Sequence, residues 1–186
     1  MIIKKRYSFA IISAFFLLIA CGNAKKINTG LPLPLNLYQS IPDAEEKKTL
    51  YGIISKEQIT GDTTFGWYQT NLKYFKLDSA SVKSIRAKKD NIHLVLFCGT
   101  WCHDSQQILP KYLTTLQAAQ FPDDHLTIIG TDRDKKTVAD LQRVFNITNV
   151  PTIIIMQDGK EAGRITEYGK TALVDKELGA MVAALP

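Results

Sequence analysis

Two thiols four positions apart offer the most chemistry in this chain: Cys98 and Cys102, in Phe97-Cys98-Gly99-Thr100-Trp101-Cys102-His103-Asp104-Ser105. Residues 92–97 before them form an apolar run rich in β-formers, long enough for a central strand and too short for a helix. Residues 102–120 after them read as a helix. That places Cys102 in a first helical turn, where unpaired N–H groups and the helix dipole favour an anion, and the thiolate is the nucleophilic form of cysteine. His103 would support the anion when protonated, and Asp104 would oppose it. A Cys98–Cys102 disulfide requires Cα atoms within ~7 Å, which an extended strand end opposes; otherwise Cys98 is a buried small hydrophobe. No further Cys/His cluster has ligand spacing, so no metal is expected, and no nucleotide-binding glycine motif points to a cofactor.

The elements that must hold these residues follow from the pattern. Pro110 lies inside the 102–120 helix and should kink it. Residues 126–130 read as a strand, 135–145 as a helix opened by Asp132 or Asp134, and 152–156 as a strand. Asp158-Gly159 turns the chain into a strand over 161–166, and a closing helix covers 171–184. Upstream, Tyr68, Leu72 and Phe75 have helical spacing, which suggests a helix around 64–76, and Val82, Ile85 and Lys88 continue a second short one. The aromatics Phe65, Trp67, Tyr68 and Phe75 either wall a groove or fill the core; core is the expectation.

Trp101-Cys102-His103-Asp104-Ser105 after an apolar strand, with Val150-Pro151-Thr152 further on, resembles the thioredoxin-like superfamily: its Trp-Cys-x-x-Cys turn and its Ile/Val-Pro-Thr loop. The order of elements matches that fold over about residues 90–186, with Pro110 where the family carries a proline. The resemblance implies an α/β fold with a central mixed β-sheet flanked by helices, here with an N-terminal helical extension. It makes Cys102 the nucleophile, Trp101 its shield, and Val150, Pro151 and Thr152, flanked by Asn149, the substrate-binding groove, Pro151 being cis. Ser105 stands where the family has its resolving cysteine, and Leu96 where it usually has a buried aspartate. Both parts of the resolving machinery are missing, so simple reductase activity is not expected; Cys98, where a tryptophan is usual, is the remaining candidate resolving thiol. Ser105 could still hydrogen-bond the thiolate.

Residues 1–20 combine Lys4, Lys5 and Arg6 with an apolar stretch over 7–19, the layout of a secretory signal. Cys21 after Leu18-Ile19-Ala20 resembles the bacterial lipoprotein cleavage site and would be lipidated. A spanning anchor needs ~20 apolar residues, more than this stretch supplies. Residues 21–43, with Leu31-Pro32-Leu33-Pro34-Leu35 and Pro42, read as an extended tether, leaving 44–186 as one thioredoxin-like domain. Gly22 and Asn23 are not acidic, which points to the outer membrane of a cell envelope, facing the periplasm. The basic leader supplies three of the formal charges, leaving 20 basic against 18 acidic residues, and no clustered basic stripe suggests nucleic acid.

The expected function is thiol–disulfide exchange on cysteine-containing exported proteins, or with a redox partner, through Cys102 alone. The alternative is a non-catalytic thioredoxin-fold module that binds exported peptides or proteins. A peroxide-reducing role would rest only on Thr100, two residues before Cys102.

Overall fold

The computed structural model describes residues 37–186; the leader, Cys21 and most of the expected tether lie outside the described residues. The six-stranded sheet has the order β1-β2-β4-β3-β5-β6, with β1 at Tyr38–Asp43, β2 at Lys47–Ile54, β3 at His93–Cys98, β4 at Leu126–Gly130, β5 at Thr152–Gln157 and β6 at Lys160–Thr166. Only β3 and β4 run parallel; every other neighbouring pair is antiparallel. The expected mixed sheet flanked by helices is present.

β3 sits inside the sheet and is covered on both faces, which is why its sequence is a continuous apolar run rather than an alternation. Leu94, Leu96 and Cys98 point to one face and pack with Ile153, Ile155 and Ile128. On that side lie α3 (Ser79–Lys88), α4 (His103–Ala118) and α6 (Val174–Ala183), contributing Ile85, Ile108, Leu109 and Leu178. Val95 and Phe97 point to the other face with Ile129, Val150 and Ile154, under Leu141 and Phe145.

Three expectations change. The last six residues of the expected tether are β1, and β2 follows it, so the domain begins no later than Tyr38 and its extension is helical only from Lys56. The turn between them closes because Asp43 accepts hydrogen bonds from the N–H groups of Glu45 and Glu46. Pro42 is tolerated because β1 is an edge strand. The helix expected over 64–76 is shorter: a 3-10 turn at Thr63–Phe65 and α2 at Trp67–Leu72, preceded by α1 at Lys56–Thr60. Phe65 and Tyr68 are core, as expected. The helix expected over 135–145 is reduced to a 3-10 turn at Val138–Asp140 and α5 at Leu141–Val144. Asp132 does not cap a helix; its carboxylate accepts from Lys136 N–H at 2.8 Å, and its own N–H reaches the Lys136 carbonyl, closing a loop instead.

Two carboxylates bind the N-terminal hairpin to the rest. Asp43 is held by Arg133, and Asp62, at the start of the 3-10 turn, is held by Lys48 of β2. The Arg133 hydrogen bonds hold the Asp43 carboxyl well below the usual carboxylate range, and Lys48 lowers Asp62 to about 2. Carboxyls depressed in the folded state add stability above their unfolded value of ~3.9, and that stability is lost as pH falls toward the folded value. Thermal melts should therefore show Tm falling between pH ~5 and pH ~2. Asp43→Asn should lower Tm at neutral pH and flatten the acid fall by roughly 2–4 °C, the change that about 1 kcal/mol makes in a domain of this size. An unchanged acid slope would remove Asp43 from this role.

Candidate functional site

β3 ends at Cys98, whose carbonyl accepts Thr131 N–H at 2.9 Å, and the chain turns through Gly99, Thr100 and Trp101 before α4 begins. Cys102 is the N-cap, in extended conformation (φ −87°, ψ 122°), with its N–H on the Gly99 carbonyl and its own carbonyl accepting Gln106 N–H. The sulfur is half-buried at the positive end of a long helix, as the sequence suggests. Its Sγ donates to the Val150 carbonyl at 3.3 Å, and the Val150–Pro151 bond is cis. Nucleophile candidate and loop, 48 positions apart, thus meet directly.

The loop is fixed on both sides. Thr152 Oγ1 donates to the Asn149 carbonyl at 2.7 Å, and Glu167 N–H reaches the Pro151 carbonyl at 2.7 Å. Thr152, expected in the groove, is buried and holds the loop's shape.

Trp101 is held from three directions. Its Nε1 donates to the Thr131 carbonyl at 2.9 Å, the Arg133 guanidinium lies 5.6 Å from its ring, and the ring fills the space beside Gly99. Any side chain at 99 would have its Cβ 2.6 Å from the indole. Arg133 is itself forked onto both Asp43 carboxylate oxygens at 2.8 Å and onto Glu45 at 3.0 Å. The β1–β2 turn therefore steadies the residue beside Cys102.

Ser105 is fully buried, and its Oγ accepts Gly99 N–H at 3.1 Å. The hydrogen bond it makes is to the loop backbone; the bond to the Cys102 sulfur that a serine here could make is not formed. Leu96 is buried between Ile128 and Ile153 of the neighbouring strands. Cys98 is buried in the helix-side core, both described cysteines are free thiols, and burial pushes the Cys98 thiol up to about 12. A thiol so placed stays protonated near neutral pH and is closed to solvent, which opposes Cys98 as a resolving thiol.

Thr100, the fragment of a peroxide-type signature, is fully buried. Its hydroxyl accepts Leu50 N–H at 3.0 Å and contacts the Thr49 hydroxyl at 3.1 Å, tying the loop to β2. His103 is exposed, and Asp104 accepts the Tyr168 hydroxyl at 2.9 Å. Burial and then Asp104 push the Tyr168 phenol up.

Sequence reading missed Arg133, Thr131, Tyr168 and Asn71. The last had a signal. Pro110 has no N–H, so the Gln106 carbonyl one turn earlier loses its helical donor, and Asn71 Nδ2 of α2 supplies one at 2.9 Å. Asn71 Oδ1 also accepts from Gln107 at 3.2 Å. The buried hydroxyl of Tyr112 on the same helix has no partner among the described residues. No cluster of three metal-ligating side chains occurs among the described residues, and none of their helices is long and apolar enough to cross a membrane.

The family model described as Thioredoxin matches residues 73–178. Thioredoxin-2 of Pyricularia oryzae is 26% identical over 137 residues, spanning 73% of this chain and 77% of its own length. Among solved structures, Fasciola hepatica thioredoxin is 22% identical, with 53% of this chain and 88% of that one covered and a TM-score of 0.37. Mitochondrial thioredoxin 3 of Saccharomyces cerevisiae is 19% identical, covering 61% and 98%, also at 0.37.

Proposed function

The chain belongs to the thioredoxin family, whose chemistry is thiol–disulfide exchange, and from that premise we propose that it exchanges disulfides of exported proteins with Cys102 as its single nucleophile. The observation that carries this reading is the half-exposed Cys102 sulfur at the N-terminus of α4, 3.3 Å from the carbonyl before Pro151. Buried Ser105 and Leu96 occupy the positions from which a family member would resolve the intermediate.

In the forward step the Cys102 thiolate attacks one sulfur of a substrate disulfide. A Cys102–substrate disulfide forms, the substrate S–S bond breaks, and its other sulfur leaves as thiolate. When Cys102 gives up its proton it stops donating to Val150, and that carbonyl becomes free to accept an N–H from the substrate backbone. A second thiolate of the substrate then attacks the mixed disulfide, a new substrate disulfide forms and Cys102 leaves as thiolate. Nothing is oxidised or reduced overall, so the reaction is isomerisation and needs no electron donor.

The leader and Cys21 support a lipid-anchored protein of the cell envelope facing exported, cysteine-containing partners. The mechanism is tested by adding the protein to a substrate with scrambled disulfides and a trace of free thiol. Reactivation should be accelerated several-fold. No acceleration, with peptide binding retained, would favour a binding module in which Cys102 is idle.

A further inference from the structure

Beyond the first turn and a half of α4, the surface opens into a cleft of about 470 Å³ that the exchange step does not use. We infer that this cleft holds an extended stretch of substrate polypeptide carrying acidic residues a few positions from its reactive cysteine. The inference rests on the exchange reading and names its substrate class.

Gln107 and Lys111 of α4 form one side, Tyr74 and Lys76 after α2 another, and Leu173 and Lys176 at the start of α6 the third. Tyr74 is 84% exposed and Leu173 50%, an arrangement that offers apolar contact beside charge. Among the described residues no carboxylate lies within 4.0 Å of Lys76, Lys111 or Lys176. The carboxylate in the cleft wall, Asp175, is buried. Nearby Asp78 caps α3 through the N–H and hydroxyl of Ser81 and keeps its charge, within electrostatic reach of Lys176. Three ammonium groups against the buried Asp175 and the nearby Asp78 leave the cleft net cationic.

Position along the helix sets the reach. Gln107 and Lys111 follow Cys102 by five and nine residues, so at ~1.5 Å per residue they stand ~7 and ~14 Å along α4 from the reactive end. An extended peptide advances ~3.3 Å per residue, so it lies over Gln107 about two residues beyond its cysteine and over Lys111, at the cleft, about four residues beyond. Closer positions face Asp104, held in place by Tyr168, which disfavours an acid beside the cysteine itself. The turn from Tyr168 to Ala172 joins the two regions, closed by Ala172 N–H on the Tyr168 carbonyl at 3.0 Å.

The test uses the full chain with Cys21→Ser and two fluorescein-labelled peptides carrying serine in place of cysteine. One has glutamates two to four positions away, and its twin has lysines there. Anisotropy should show the glutamate peptide binding roughly tenfold tighter at low salt, with the gap closing between ~0.01 M and ~1 M salt. The triple variant K76E/K111E/K176E should erase or reverse the preference. Equal affinities, or a preference that survives the triple substitution, overturn the inference. Cysteine versions of the peptides, activated as thionitrobenzoate disulfides, test the exchange reading separately. Thionitrobenzoate release by Cys102 alongside equal anisotropies keeps exchange and rejects the acidic class. No release rejects exchange, and with it the assignment of this cleft to an exchange substrate.

Discussion

Cys102→Ala is expected to remove all exchange activity while leaving the fold intact. The side chain is half-buried and makes one side-chain hydrogen bond, to the Val150 carbonyl, so truncation empties little space, and most substitutions outside the core change stability by no more than about 1 kcal/mol. The chemical loss is total because no other described thiol can substitute. Cys98 faces the helix-side core with its thiol pushed up to about 12 by burial. Reactivation of the scrambled substrate should drop to the rate without protein, and adducts that dissolve on thiol treatment should vanish. Cys98→Ala should retain the activity. Activity surviving in Cys102→Ala and lost in Cys98→Ala would reverse the assignment.

Ser105→Cys is expected to have the opposite effect, installing the exit that this chain lacks. Ser105 sits in the first turn of α4, three residues after Cys102 and fully buried, and a thiol there needs little more room than a hydroxyl. The introduced thiol attacks the Cys102–substrate disulfide from within the molecule, where effective concentrations far exceed those of a dissolved thiol. The lifetime of the mixed disulfide should fall on the order of 100-fold or more, and an intramolecular disulfide should appear. With an external dithiol the variant should reduce disulfides, where the parent chain only exchanges them. Gly99 N–H loses its hydroxyl acceptor, which should cost about 1 kcal/mol. An unchanged adduct lifetime would show that Ser105 is not in line with the sulfur, whatever its place in the sequence.

The parts of the fold that could be read from sequence are those whose signal is local. The β3 run is apolar because both of its faces are covered, β4 coincides with 126–130, and Asp158-Gly159 turns β5 into β6 with positive φ at both residues. Cys102 and Pro151 were legible as motifs, and the fold places the Cys102 sulfur on the Val150 carbonyl beside a cis Val150–Pro151 bond. The N-terminal hairpin was not. Its β1 carries an exposed outer edge and a proline, and β2 opens on two lysines. What makes it part of the sheet is long-range: Gly52 opposite Gly130, where a Cβ on Gly130 would stand 2.2 Å from the Leu50 carbonyl, and Thr100 bonded to Leu50. Arg133 looked like any solvated loop charge, because its carboxylate partners lie about ninety residues earlier. The helix over 135–145 failed for a local reason that composition conceals: Asp132 serves the Lys136 N–H within a loop, and Ala139 and Asp140 both take positive φ.

The most direct measurement of the central claim is intact-mass spectrometry over time after the full chain, with Cys21→Ser, meets a disulfide-containing peptide under anaerobic conditions. The expected result is one peptide adduct per chain, mapped to Cys102, which persists until a free thiol is added and leaves Cys98 unmodified. Loss of the adduct without added thiol, accompanied by a Cys98–Cys102 disulfide, or failure of any adduct to form, would contradict a single-nucleophile exchange protein.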